Sequence, residues 1–305
     1  MDIFIFVVAM GALIYGADFI IEQSEKIALH FNISAFVIGA TLIALGTSLP
    51  EMAVSVSASM QGSGDIAVAN VIGSTIFNIA LVLGVVFLIA KNINPERDLF
   101  AKDSAWSLFP ILIFILMSID GQLSMLDGFL FLILMGAYLL FLIQSNQVEE
   151  IDEDLAKEKF AWGKTIALLA VGFVFVVGGA DFAIQSAGNI ARDFGVSEWI
   201  IGLFLVAFGT SLPELTVAIK AARANNADMA IGAIIGSNVA NFTMVLGVSS
   251  IINPLNVDLS ANFFDITAAV IVSVMLVFIT ANKLYNKSAG IVLMTVLALV
   301  IANSF

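Results

Sequence analysis

The stretch GTSLPE occupies residues 46–51 and returns unchanged at 209–214. Each copy sets a proline, two hydroxyls and a carboxylate into an apolar run. The match extends outward without a gap at a constant offset of 163 residues. GADF at 16–19 meets GADF at 179–182, Gly39 meets Gly202, and Ala44 meets Ala207. Asp65 meets Asp228, GS at 73–74 meets GS at 236–237, Asn78 meets Asn241, and VLG at 82–84 meets VLG at 245–247. A gapless match over about 70 residues marks an internal duplication. The polar residues repeat better than the apolar ones around them, and the register is lost beyond roughly residue 90.

The chain carrying this repeat has 305 residues, 60% of them hydrophobic and 12% charged, with a mean hydropathy of +1.06. A soluble chain is about 25% charged. Apolar runs at 104–119, 126–144 and 287–303 reach or approach the length that crosses a hydrocarbon core about 30 Å thick. A polytopic membrane protein follows, with the lipid bilayer as its surroundings and no nucleic-acid partner. There is no cysteine, hence no disulfide framework and no thiolate metal site, and His30 is the only histidine. The net charge of −12 owes much to EEIDEDLAKEK at 149–159, which reads as a solvated loop too short for a folded calcium-sensing domain. The start, MDIFIF, is acidic where a cleavable signal would be basic, so the first apolar run is expected to stay as a membrane helix.

Each half reads as five helices. The first set is expected near 2–22, 33–61, 65–90, 104–119 and 126–144, the second near 164–187, 196–222, 228–252, 262–281 and 287–303. Because five is odd, the second half enters the membrane upside down. The expected fold is an all-α membrane protein of ten transmembrane helices in two inverted five-helix repeats. These are 1–144 and 164–305, joined by an acidic linker at 145–163. Basic residues test the arrangement. Loops after the first, third, fifth, seventh and ninth helices carry eleven Lys and Arg, and the other side carries only Arg192. Positive loops stay in the cytoplasm. The linker is therefore expected inside, both termini outside, and the chain in the cell membrane.

Pro50 and Pro213 fall within membrane helices, where each removes a backbone donor. Thr47, Ser48 and Glu51 share a helix face by spacing, as do Ser74 and Asn78 in the following helix. The set recurs as Thr210, Ser211 and Glu214 with Ser237 and Asn241. Brought together by a pseudo-twofold axis, the two sets form a cage of two carboxylates, two amides, hydroxyls and loosened carbonyls. Such a hard-oxygen inventory suits Ca²⁺ and Na⁺, and a formal charge of −2 matches one Ca²⁺. A single proline with its hydroxyls is often only a kink with satisfied backbone. An ionisable side chain at depth is expensive, and two at equivalent positions tip the balance to function. Asp18 and Asp181 also repeat, but near expected helix ends, where water would solvate them; Asp65 and Asp228 sit at helix starts and read as structural.

GTSLPE with GSTIFN, and GTSLPE with GSNVAN, resemble the two α-repeats of the cation/Ca²⁺ exchanger superfamily, and within it the prokaryotic Na⁺/Ca²⁺ exchangers. The resemblance implies that Glu51 and Glu214 ligate Ca²⁺ together with the carbonyls of Thr47 and Thr210. It implies Na⁺ sites at Ser48, Ser211, Ser74 and Ser237 and at the carbonyls of Ala44 and Ala207. The position of Asn78 is commonly an amide in the family, while K⁺-dependent members typically carry Asp at the position of Asn241. One departure is the family's GN pair, here AN at 69–70 and GA at 232–233. The reading is a non-enzymatic secondary antiporter, without cofactor, exchanging Na⁺ for Ca²⁺ by alternating access and needing no K⁺. The sequence leaves the oligomeric state open, and a monomer is plausible. A H⁺/Ca²⁺ antiporter using the same glutamates is the alternative, although that branch usually spells its motif GNATE. A channel would line its pore with a ring of acids, and an intramembrane hydrolase would need a metal triad or an aspartate pair.

Overall fold

The structure is a computed structural model that describes residues 2–90, 95–145, 160–193 and 207–303. The first helix, α1, runs Asp2–Phe31, beyond its expected end near 22. The polar stretch EQSEKIALHF continues it past the apolar part, and left-handed Asn32 (φ 56°) ends it. The second expected helix is two: α2 at Ala35–Thr47 and α3 at Leu49–Met60, whose axes differ by 45°. Then come α4 (Gly64–Ile89), α5 (Ser104–Asp120) and α6 (Met125–Gln144). The second half has α7 (Trp162–Asp193), α8 (Ala207–Thr210), α9 (Leu212–Arg223), α10 (Ala227–Ile252), α11 (Phe263–Ala281) and α12 (Lys287–Asn303). Most of the linker, and the expected helix segment 196–206, lie outside the described residues. Among the described residues, six helices can cross a membrane by length and composition, or seven if α2 and α3 are one bent span; α5 and α12 are apolar but shorter.

One departure from an all-helical chain is a short antiparallel ladder. β1 (Gln122–Leu123) pairs with β2 (Leu255–Asn256), Gln122 opposite Asn256 and Leu123 opposite Leu255. It forms because the connections after α5 and α10 run side by side. Gly121 (φ 91°) turns the chain, and its carbonyl accepts from Val257 N at 2.9 Å.

Burial ranks the helices. In α10, 89% of the apolar window is buried, in α4 67%, but in α1 and α6 only 28%. The outer helices present Phe4, Leu116, Ile133, Leu140, Val174 and Phe278 outward. The inside holds serine, threonine, asparagine and glutamate. This arrangement suits a lipid solvent, which does not drive apolar groups inward. Small residues let backbones touch. A Cβ on Gly236 of α10 would strike the backbone of Ala40 in α2, and one on Gly39 the Met229 carbonyl. α1 and α7 meet in the same way, where a Cβ on Gly16 would come 2.8 Å from the Gly172 carbonyl.

Contacts sort the helix ends into two groups. At one end Arg97 binds Asp103, Ser145 and the ring of Phe36, and the Asp228 carboxylate accepts the backbone N–H groups of Glu96 and Arg97. Asp228 thus ties down a neighbouring connection as well as starting its own helix. The same end holds Glu25 with Asn226 and the stack of His30 on Phe160. His30 therefore ends a helix and lies in no loop. The opposite end holds Ser59 with the Ser249 carbonyl, Asp2 with Asn189, and the ladder. Eight of the nine described Lys and Arg residues fall at the first end, and Arg192 alone at the other.

Candidate functional site

The two motifs break their helices in the same way. Ser48 (φ −82°, ψ 6°) and Ser211 (φ −90°, ψ 1°) leave helical geometry. Pro50 and Pro213, expected as kinks inside helices, instead lie in the first turn of new ones, where a missing N–H costs nothing. The backbone ladder of α2 ends with Ser48 N to the Ala44 carbonyl at 3.1 Å and resumes with Met52 N to the Ser48 carbonyl at 3.1 Å. Between them the carbonyls of Leu45, Gly46 and Thr47 lack a helical donor. The second copy resumes with Leu215 N to the Ser211 carbonyl at 3.0 Å. Glu51 and Glu214 fall in the first turns of α3 and α9, where free N–H groups and the helix dipole favour negative charge.

The facing helices are distorted at matching places. α4 winds as a π-helix over Phe77–Leu83 and α10 over Asn241–Val245, so Asn78 and Asn241 stand where each π turn begins. α2 has another at Gly39–Ile43. Single π turns inside α-helices gather at functional sites, because the wider turn loosens the carbonyl ladder and re-aims side chains.

These distortions bring both sets to one buried centre. Glu51 is 0% exposed and Glu214 2%, and each carboxylate lies within the other's field. The motifs cross: Thr47 and Ser48 of the first face Glu214, and Thr210 of the second faces Glu51. Ser74 Oγ donates to Glu51 Oε1 at 3.3 Å, and Ser237 Oγ to Glu214 Oε1 at 3.1 Å. Ser48 Oγ lies 2.8 Å from Ser237 Oγ, and Asn78 Nδ2 donates to Ser237 Oγ at 3.2 Å and to Asn238 Oδ1 at 3.0 Å. The opposite side is unpaired. Ser211 Oγ, both polar atoms of Asn241, Asn78 Oδ1, and Oε2 of each glutamate are buried without a hydrogen-bond partner. Unpaired buried oxygen is costly, and its concentration around two carboxylates fits a cation as the missing partner. Among the described residues no group of three or more His, Asp or Glu stands ready for a metal. A cation here would take its remaining ligands from hydroxyls, amides and carbonyls, as Ca²⁺ and Na⁺ do.

Of the expected residues, Glu51, Glu214, Ser48, Ser74, Asn78, Ser237 and Asn241 line this centre, with Thr47, Thr210 and Ser211 on the broken turns. The Ala44 carbonyl already accepts from Ser48 N and from Thr47 Oγ1, at 3.1 and 3.3 Å. Ala207, at the equivalent sequence position, is the first described residue of α8. Asp18 is not at a helix end, since α1 continues to Phe31, and it pairs with Lys220 at 2.7 Å; Asp181 accepts from Gln185. The residue-level reading passed over Asn238, which follows Ser237 within GSNVAN, and Asn70, whose Nδ2 donates to the Glu51 carbonyl at 3.1 Å and to Ser55 Oγ at 2.9 Å. Their signal was position. Asn238 adjoins an expected ligand, and Asn70 precedes Ser74 by one helical turn.

The family model for the sodium/calcium exchanger protein matches residues 1–144 and 164–305. An uncharacterized membrane protein of Methanocaldococcus jannaschii is 37% identical over 298 residues, spanning 98% of this chain and 96% of that one. The sodium/calcium exchanger MaX1 of Methanosarcina acetivorans is 31% identical over 323 residues, 92% of each chain. A solved structure of the sodium-calcium exchanger NCX_Mj, soaked with 10 mM Na⁺ and zero Ca²⁺, superposes with a TM-score of 0.84 at 35% identity, covering 99% of this chain and 98% of that one.

Proposed function

Since this chain belongs to the sodium/calcium exchanger protein family, we propose that it is a secondary antiporter of the cell membrane that moves Ca²⁺ against Na⁺ by alternating access, without need of K⁺. The observation that carries the reading is the central cage. Two buried glutamates from repeated broken helices meet there, surrounded by unpaired hydroxyl and amide oxygens.

Ca²⁺ is held by Glu51 and Glu214 with the carbonyls of Thr47 and Thr210. Na⁺ ions occupy oxygens of Ser48, Ser74, Ser211 and Ser237 and the carbonyls of Ala44 and Ala207. Asn78 and Asn241 serve as neutral ligands or supports. The same carboxylates serve both ions, so occupancy by one excludes the other, and exclusion is the basis of exchange. A bare dianionic cage in a dry centre is unfavourable, so the loaded forms are the ones that can pass between faces.

Ten spans in two inverted repeats would place the cage at the midplane. The end rich in Lys and Arg faces the cytoplasm, and both termini face outward. The α1–α7 pair is the mobile body. It packs backbone to backbone on itself, and α7 leans on the motifs through Phe173 over Gly46 and Ile184 over Gly209. Flexible side chains at both contacts let the pair slide across the core and expose the cage to either side.

The test is Ca²⁺ uptake by proteoliposomes holding the purified chain, with Na⁺, H⁺ or K⁺ gradients imposed one at a time. A Na⁺ gradient is expected to drive uptake with K⁺ absent. Uptake driven by pH and indifferent to Na⁺ would move the coupling to H⁺, an absolute need for K⁺ would end the K⁺-independent reading, and Ca²⁺ flux without any counter-ion would mean a channel.

A further inference from the structure

The two halves are alike in the ligand-bearing residues but not one turn away from them. On α4, residues 70, 74 and 78 are four apart and share one face. Ser74 holds the Glu51 carboxylate at 3.3 Å, and Asn78 reaches across to Ser237 and Asn238. Asn70, the first of the three, holds the backbone of the same glutamate, donating to its carbonyl at 3.1 Å and to Ser55 Oγ at 2.9 Å. Ser55 in turn donates to the Ala67 carbonyl of α4 at 3.4 Å. Glu51 is therefore gripped from α4 at both its carboxylate and its peptide group.

The second half has replaced this clasp. Shifting by 163 residues, Ser55 and Asn70 become Ala218 and Ala233, while Ala67 stays alanine as Ala230. All three are buried, at 0%, 1% and 4% exposure. The replacement is concerted. Removing Asn70 alone would take from the Ser55 Oγ the donor that it accepts from, whereas alanine at both positions, 218 and 233, removes the pair together. Glu214 instead takes Ser48 from the opposite motif together with Ser237.

We infer that Asn70 is a positioning residue for the cation site. It pins α3 to α4 so that the Glu51 carboxylate stands in ligating position before the ion arrives, while Glu214 relies on cross-motif hydroxyls. The inference rests on the exchange reading above. Fixing a ligand in advance removes an ordering cost from binding, so loss of the pin weakens affinity and leaves transport by the loaded protein intact.

The experiment measures Ca²⁺ binding to the full purified chain in detergent by titration calorimetry, with thermal melting and Na⁺-driven Ca²⁺ flux at saturating Ca²⁺ alongside. Asn70→Ala and the volume-keeping Asn70→Leu are each expected to raise Kd for Ca²⁺ about five- to tenfold, as loss of one buried hydrogen bond does. Ser55→Ala, which spares the Glu51 contact and removes the second acceptor, should raise it by roughly twofold to threefold. Maximal flux should hold within about a factor of two, because positioning acts on binding. A purely structural role would lower the melting temperature and leave Kd where it was. An unchanged Kd in folded Asn70→Leu overturns the inference; if neither Asn70 variant folds, an unchanged Kd in Ser55→Ala does so. Wild-type protein that binds no Ca²⁺ would overturn the exchange reading along with it, whereas wild-type binding with unaffected variants removes the positioning role alone.

Discussion

At Glu51 and Glu214 a carboxylate stands buried with one oxygen hydrogen-bonded to serine, Ser74 for the first and Ser48 and Ser237 for the second, and the other oxygen unpaired. Each supplies half of the cage's formal charge. Glu→Gln at either position keeps shape and burial but removes that half. Ca²⁺ binding is expected to vanish from calorimetry and flux, while yield and the size-exclusion profile stay near wild type; wild-type exchange rates in either variant would end the assignment. Asn241 is the second informative residue. Its amide is fully buried with neither polar atom paired. Asn241→Asp puts a third carboxyl beside two, and like charges at such range do not all ionise together. Ca²⁺ flux in Asn241→Asp should become more sensitive to pH than in the parent, read as the slope of initial rate across the neutral range.

At the scale of elements, the site exists because helices come unusually close. α2 and α10 cross backbone to backbone at Gly39 and Gly236. Gly236→Val would drive a branched side chain into the Ala40 backbone, which cannot yield as a side-chain tip can. The expected cost is about 3 kcal/mol or more, seen as loss of a monodisperse peak or a large fall in melting temperature. The Arg97 clamp holds the other critical junction. Its guanidinium meets Asp103, the Ser145 carbonyl and hydroxyl, and the Phe36 ring, and the ion pair is 5% and 0% exposed. Arg97→Ala strands a buried carboxylate and should cost about 3–5 kcal/mol. Arg97→Lys should recover little, because an ammonium cannot fork between two carboxylate oxygens and a carbonyl. A melting curve of Arg97→Lys matching wild type would refute the forked geometry as the source of stability.

For the molecule as a whole, charge and sidedness are the measurable consequences. With both glutamates ionised, the proposed cage would be neutral with one Ca²⁺ and would carry +1 with three Na⁺, the stoichiometry that the family resemblance implies. On that proposal each cycle would move one net charge, equivalent to about 2.3 kcal/mol per 100 mV. Exchange should accelerate or slow with the sign of a potential clamped across proteoliposomes, and flux indifferent to potential would exclude that stoichiometry. The segregation of basic residues to one end predicts that a reporter at Glu153 is cytoplasmic and one at Phe305 is outside. Both residues lie outside those the structure describes, so labelling in intact cells is the decisive measurement.

Sequence alone determined the membrane setting and the duplication, and it singled out the polar residues that the fold buries at one centre. Each of these is written in composition or in a repeat of fixed spacing. The helix breaks were half legible: proline announced a disturbance at residues 50 and 213, but not that Ser48 and Ser211 would leave helical geometry and hand each proline to the start of a new helix. The π turns at Asn78 and Asn241 left no local signal, because a widened turn is selected by what packs around it. The same holds for partners far apart in the chain. That Ser48 answers Ser237, that Asn78 answers Asn238, and that Asn70 grips Glu51 depends on how α2, α3, α4 and α10 cross. Spacing along one helix tells which side chains share a face. Only the packing of several helices decides which faces meet, since that depends on backbone approach distances that tertiary contacts set together.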